Sequence, residues 1–325
     1  MTMLKRYFFV SLISIAAFST TVLADDETTT PENKSEGVFL SSFENKYHRH
    51  PDRAHNGWMP VLSFLLPGFD QYFAGNIAAG ATYSGYAVFG LELAEAMKDK
   101  TSTPGQADTS TRNNVKRQIL LGSQMYELAG AFSAYQAYRS IANIRRTNGD
   151  GYEFLKTDDS TADLAWAPFD FRFLARPTTL LPIAALLAVV FTAPKDSSSA
   201  HYLDSSDVGY LAGFSLQAGT AEESIFRGAF LPSLVNWWGG DFWANTAQAA
   251  VFAALHISSD NPIPYPQFIL GWYLGWLTQH NNYSIRESIF VHAWWDVIAF
   301  TATYLEQTNY DRQTNVYLPI VDARF

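Results

Sequence analysis

The chain has 325 residues, 31 acidic against 22 basic, and a formal net charge of −9. That balance excludes a nucleic-acid binder working through a basic stripe. The absence of cysteine excludes disulfides, thiolate nucleophiles and cysteine-ligated metals. Apolar residues reach 48% while charged residues make up 16%, below the ~25% of an ordinary soluble domain. Aromatics are 15% and favour boundaries between dry and wet surroundings. The mean hydropathy of −0.06 is modest, because polar stretches at 25–57, 98–117 and 145–170 dilute the apolar windows.

In chain order, residues 1–24 read as a signal peptide. Lys5 and Arg6 precede an apolar run from Tyr7 to Phe18, and Val22-Leu23-Ala24 offers a cleavage site. An uncleaved anchor is the alternative, and both readings direct the chain to a membrane. Residues 25–57 form a polar linker. Its His48, His50 and His55 lack ligand spacing and read as solvated. Residues 58–145 are expected to form a membrane hairpin. Pro67-Gly68 marks a turn. Tyr72 to Leu91 then runs largely apolar, with Gly75, Ala79, Gly80, Gly85 and Gly90 able to admit a close neighbour. Gln118 to Tyr138 is a weaker helix that carries Glu127. The pair loosely resembles small membrane hairpins opening with Pro-Gly-x-Gly-Gln-x-Tyr, and that likeness implies no function.

Residues 146–177 read as a polar loop. The last large unit, 178–306, contains Thr179 to Pro194, the clearest spanning segment, although it is short for a ~30 Å hydrocarbon core. Four more apolar stretches follow: Val208 to Thr220, Phe242 to Ile257, Phe268 to Leu277 and Ile289 to Leu305. Residues 307–325 are a tail. Basic residues at 98–117 and at Arg139, Arg145 and Arg146 place two successive loops on the same side, which conflicts if 118–138 spans. An outer-membrane barrel needs ~10-residue alternating segments, and unbroken runs such as Ile183 to Phe191 argue against one.

Ionisable groups inside apolar segments mark functional sites by default, and three groups occur here. In Ala221-Glu222-Glu223-Ser224-Ile225-Phe226-Arg227, Glu223 and Arg227 stand at i and i+4 and can pair. Glu222 then points about 100° away, unpaired. Alone, this also describes a solvated helix end. His256 closes the mostly apolar Phe252-Ala253-Ala254-Leu255, where a histidine is often a satisfied core residue. His292 and Asp296 share a face at i and i+4. That spacing suits two ligands, an oriented histidine or two donors aimed at one oxygen.

In order, the motifs Glu-Glu-x-x-x-Arg, Phe-x-x-x-His and His-x-x-x-Asp resemble those of type II CAAX prenyl endopeptidases and the bacteriocin-processing and immunity proteins related to them. Gly271 and Gly275, and Ser284-Ile285 and Ser288-Ile289, fit the same pattern. The resemblance spans about residues 178–306. It implies an all-α, polytopic helical membrane protein, with the N-terminal hairpin followed by a helical protease bundle in a bacterial inner membrane. The implied activity is intramembrane endopeptidase hydrolysis of a membrane-associated peptide or protein, with the lipid bilayer as partner and no nucleic acid.

The resemblance also implies residue roles. Glu222 would be the general base and His256 would help to hold the water. Glu223 and Arg227 would lock the helix, and His292 would polarise the scissile carbonyl. Burial should perturb Glu222 and His256. Where the family often has asparagine, Asp296 cannot donate while ionised, so it must be protonated, orient His292 or bind metal. Relatives are labelled metalloproteases, and Glu222, His256 and His292 could hold zinc. The motif is not the His-Glu-x-x-His of zincins, so metal-free water activation is also open and is the preferred expectation. The rival functions are a non-catalytic immunity or binding protein on the same scaffold and a transporter-like membrane scaffold.

Overall fold

The computed structural model describes residues 58–101, 109–155, 157, 159–192, 205–258 and 261–306. The expected signal peptide, the linker with His48, His50 and His55, and the tail lie outside them. The described residues contain helices and no strand, as the all-α reading expects.

Two short helices, α1 (Met59–Leu65) and α2 (Phe69–Phe73), precede the long pair α3 (Ile77–Thr101) and α4 (Thr109–Asn148). Gly68 makes the turn between α1 and α2 with φ of 94°, a left-handed conformation that glycine adopts without strain. Asn76 then starts α3, its side-chain oxygen accepting from the Ala79 N–H at 3.1 Å. Helices α3 and α4 pack along their length. A Cβ on Gly90 would meet the Gly122 carbonyl, and a Cβ on Gly122 would meet that of Gly90. Of the small residues expected to admit a neighbour, Gly90 does so against the facing helix. Gly80 lies under the Tyr72 ring, while Gly75 and Gly85 face open space.

The 40 residues of α4 span about 60 Å, and its last turns are tied to protein. Arg139 donates to the Tyr135 hydroxyl, Thr157 Oγ1 and the Thr157 carbonyl. Arg146 donates to the Leu155 carbonyl. Two of the three arginines that suggested a cytoplasmic loop are thus consumed by internal bonds.

The segment after α4 is more structured than the expected polar loop. It holds α5 (Thr161–Trp166) and two 3₁₀ turns, Ala167–Phe169 and Phe171–Ala175. Ser160 and Asp163 cap α5 reciprocally. Next come α6 (Pro177–Thr192), α7 (Ser205–Ile225), a π-turn (Phe226–Phe230), α8 (Leu231–Trp238), α9 (Asp241–Ala254), α10 (Tyr265–His280) and α11 (Arg286–Glu306). The described part of each of the five apolar stretches of the last unit falls on a helix, save Leu255 to Ile257, which follow α9. The π-turn and α8 were not anticipated, because π geometry has no propensity signature.

Helix α7 is the centre of the bundle, with α4 on one side and α11 on the other. Helices α9 and α10 pack as a pair that meets the π-turn after α7, with α8 against α9 and α11 against α10. Among the described residues no helix is both long and apolar enough to cross a membrane. The expected spanning segment, Thr179 to Pro194, is described only as far as Thr192. The helix there has 16 residues, about 24 Å, short of the hydrocarbon core.

Candidate active site

The site forms where α7 meets α11. Glu223 is fully buried, and its Oε1 accepts from Arg227 Nη1 at 2.7 Å, so the expected i, i+4 pair exists. The same Oε1 also lies 2.7 Å from His292 Nδ1 on α11. An ionised carboxylate only accepts, so Nδ1 carries the proton of that bond. Glu223 therefore orients His292 as well as pairing with Arg227, a double role that the linear spacing did not reveal.

With Nδ1 committed, His292 Nε2 is the face left for chemistry. Glu222 Oε2 lies 3.8 Å from it and Asp296 Oδ2 lies 3.6 Å from it. Both separations are too long for direct hydrogen bonds. They are of the size at which a water bridges two polar groups. Glu222 Oε2 is buried and has no hydrogen-bond partner, as its position about 100° from the Glu223 pair requires. Glu222, Glu223, Arg227 and His292 are brought together, and Asp296 adjoins them. The orienting of His292 falls to Glu223, with Asp296 next to the opposite ring nitrogen.

Residues 204–298 match the family model described as type II CAAX prenyl endopeptidase Rce1-like. This segment is similar to that family. The resemblance read from the three motifs is borne out over that range, which runs from the start of α7 through His292 and Asp296 on α11. Helix α6, counted in the expected unit, lies outside the match, as do α1 to α5. No curated protein and no solved structure matches the chain.

Within the Rce1-like segment His256 stands apart from the Glu222 carboxylate. It follows α9, and its Nδ1 lies 2.8 Å from the Phe252 carbonyl. A carbonyl only accepts, so Nδ1 is the donor and Nε2 of the neutral ring is an acceptor. The Phe252 ring packs against both histidines, with centroids 4.6 Å from His256 and 5.9 Å from His292. His256 therefore shares an aromatic wall with the site and makes no bond to Glu222.

Sequence reasoning missed the polar clamp behind Arg227. Arg227 Nη2 and Gln248 Nε2 each donate to the Gly271 carbonyl at 2.9 Å. Gln248 also donates to Asn245 Oδ1, and Asn245 Nδ2 donates to the Trp272 carbonyl. The guanidinium lies over the Phe252 ring at 4.5 Å. Polar residues one turn apart on the apolar α9 were the available signal. The expected small-residue contact of Gly271 and Gly275 is where α9 and α10 touch. A Cβ on Gly275 would overlap Asn245 Oδ1 and come within 2.6 Å of Gln248 Nε2. Gly275→Ala should therefore cost ~1–3 kcal/mol through overpacking, read as a lowered thermal midpoint. A wild-type midpoint would mean that the two helices part freely.

A metal is a separate matter. Among the described residues no three His, Asp or Glu side chains are grouped to hold a metal ion. His256 commits Nδ1 to its own helix's carbonyl, which leaves Nε2 as its one open ring nitrogen. The residues present do not form a zinc cage, and no step is derived through one.

Proposed function

We propose that the chain is an endopeptidase that hydrolyses a peptide bond of a membrane-associated protein or peptide with water activated between Glu222 and His292. The observation that carries this reading is the buried, unpartnered Oε2 of Glu222, 3.8 Å from His292 Nε2. The adjacent Glu223 also has an unpartnered Oε2, but its Oε1 is held by Arg227 and His292, so its charge is already matched and Glu222 is the better base. In the proposed step Glu222 removes a proton from water as the oxygen adds to the scissile carbonyl. His292, held through Nδ1, faces the reacting oxygen with Nε2, and it donates there only when the ring carries both protons. His256 Nε2, an acceptor, is suited to hold the water. The family description, an endopeptidase, supports the same reaction class.

The membrane setting is also proposed, as a multi-pass protein of a bacterial inner membrane. Leu180, Leu181, Val189 and Phe191 on α6, and Trp237, Trp238, Phe242 and Trp243 around α8 and α9, are exposed. Exposed large apolar side chains of this kind suit contact with lipid. Helices α7 and α11 have 21 residues each, about 31 Å, and their polar side chains Glu222, Glu223 and His292 are buried in the bundle. Polar groups turned inward lower a helix's apolar average without facing lipid.

The test compares newly formed protein termini in membranes of cells carrying the wild type or Glu222→Ala. Termini present with the wild type alone are expected. Identical sets would leave the non-catalytic immunity scaffold as the better reading. With purified protein, cleavage should persist after exhaustive chelation. Loss of cleavage that zinc restores would overturn the metal-free mechanism.

A further inference from the structure

Helix α4 lies outside the family match, yet it supplies buried polar atoms beside the site that the proposed step does not use. Gln124 is 1% exposed and Glu127 is 6% exposed. Both amide atoms of Gln124 and Oε1 of Glu127 lack a hydrogen-bond partner. Native interiors keep few such atoms, and each needs an explanation.

Their position follows from the packing of α4 on α7. Arg117 pairs with Asp207 at 2.6 Å. Leu120 shares a core cluster with Phe214, and Ala131 shares another with Ala221. A Cβ on Gly228 would meet the Tyr135 ring. Numbers rise together along both helices, so α4 and α7 run parallel. At 100° per residue, Gln124 and Glu127 fall on the face of α4 that carries Arg117, Leu120, Ala131 and Tyr135. They are bracketed by contacts to Phe214 and Ala221, and Glu222 follows immediately. On α7, the buried Ser215 Oγ is also unpartnered, two turns before Glu222 on a shared stripe. The α4 side of this seam thus carries orphaned donors and acceptors, and Ser215 and Glu222 share the adjoining stripe of α7, about 100° from the one that faces α4.

We propose that this seam is the binding subsite for the substrate's backbone, with the Gln124 carboxamide pairing with one peptide group and Glu127 Oε1 accepting a neighbouring peptide N–H. The inference rests on the endopeptidase reading. An extended peptide entering a buried site brings N–H and C=O groups that lose water. A carboxamide offers the matching donor and acceptor together. Two orphans on one face, spaced by a helical turn, suit consecutive peptide groups of an extended strand. The free enzyme bears the orphaned atoms and the bound substrate satisfies them. The hairpin would then set substrate binding while the Rce1-like segment performs the hydrolysis.

The test uses the full-length protein in detergent micelles, with Gln124→Met and Glu127→Met as apolar variants of similar length. The probe is a lipid-anchored, internally quenched peptide. Thermal midpoint, cleavage kinetics and fluorescence-polarisation binding are read for each. Each variant is expected to melt at or above the wild-type midpoint. KM and the binding constant should weaken about ten- to a hundredfold, the loss of a buried hydrogen bond, with a smaller change in kcat. A lowered midpoint with unchanged KM and binding would make the two residues structural and overturn the proposal. Unchanged midpoint, KM and binding would overturn it as well. If the wild type binds the probe without cleaving it, the endopeptidase reading fails, while weakened binding by the variants still upholds the subsite. If the wild type neither binds nor cleaves it, both fall.

Discussion

Glu222→Gln is expected to lower cleavage by ~10²–10⁴, the contribution of a positioned general base, with the protein still folded. The substitution keeps size and removes the basic oxygen. Glu222 makes no hydrogen bond to a described residue, and its Oε2 is an orphan, so a neutral amide breaks no existing contact. His292→Ala should reduce turnover on a similar scale, since donors aimed at a reacting oxygen are worth ~10²–10³. It also strips a partner from Glu223, so its midpoint should fall where that of Glu222→Gln does not. His256→Ala is the informative comparison, because its Nδ1 is already satisfied by Phe252. A loss comparable to that of Glu222→Gln would give His256 a direct part in holding water, and a small one would confine it to the aromatic wall. Purified variants assayed on one substrate, each with its thermal midpoint, decide these points. Near wild-type turnover by Glu222→Gln would remove it as the base.

The second large effect is on stability. Arg227 is 0% exposed and joins three elements: Glu223 on α7, Gly271 on α10 and the Phe252 ring on α9. Arg227→Met retains much of the volume but leaves Glu223 buried without its cation. Breaking a buried pair from one side costs ~3–5 kcal/mol, a large part of the ~5–15 kcal/mol that holds a domain. Adding Glu223→Gln removes the stranded charge, so the double variant should recover part of the midpoint. It should not recover activity, because the amide holds His292 less firmly than a carboxylate does. Thermal unfolding of the two single variants and the double variant measures the coupling. An Arg227→Met protein melting with the wild type would mean that the pair contributes no net stability.

The local chemistry was legible wherever it follows from helical spacing. Glu223 and Arg227 at i and i+4 had to meet once the segment was a helix, and Glu222 had to face away. His292 and Asp296 share a face for the same reason, and glycines four apart at 271 and 275 open a helix to close approach. The helices themselves were visible as apolar runs, and the family was legible because three motifs kept their order. Sequence by itself therefore determined the all-α class, the family resemblance of the 204–298 segment and the pairing within each helix.

Contacts between helices were decided by tertiary structure alone. Glu223 bonds to a histidine 69 positions later, and Gln248 closes on a glycine carbonyl 23 positions away. No periodicity encodes such distances, because they depend on how α7, α9, α10 and α11 cross. His256 shows the converse. Its motif named it as a partner of Glu222, and only packing shows that its Nδ1 goes to its own helix's carbonyl with the Phe252 ring beside it. Packing also set Gln124 and Glu127 of α4 against the stretch of α7 that leads to Glu222. Along the chain Glu127 was one carboxylate in a weakly apolar helix, and the parallel run of α4 beside α7 sets it along that stretch.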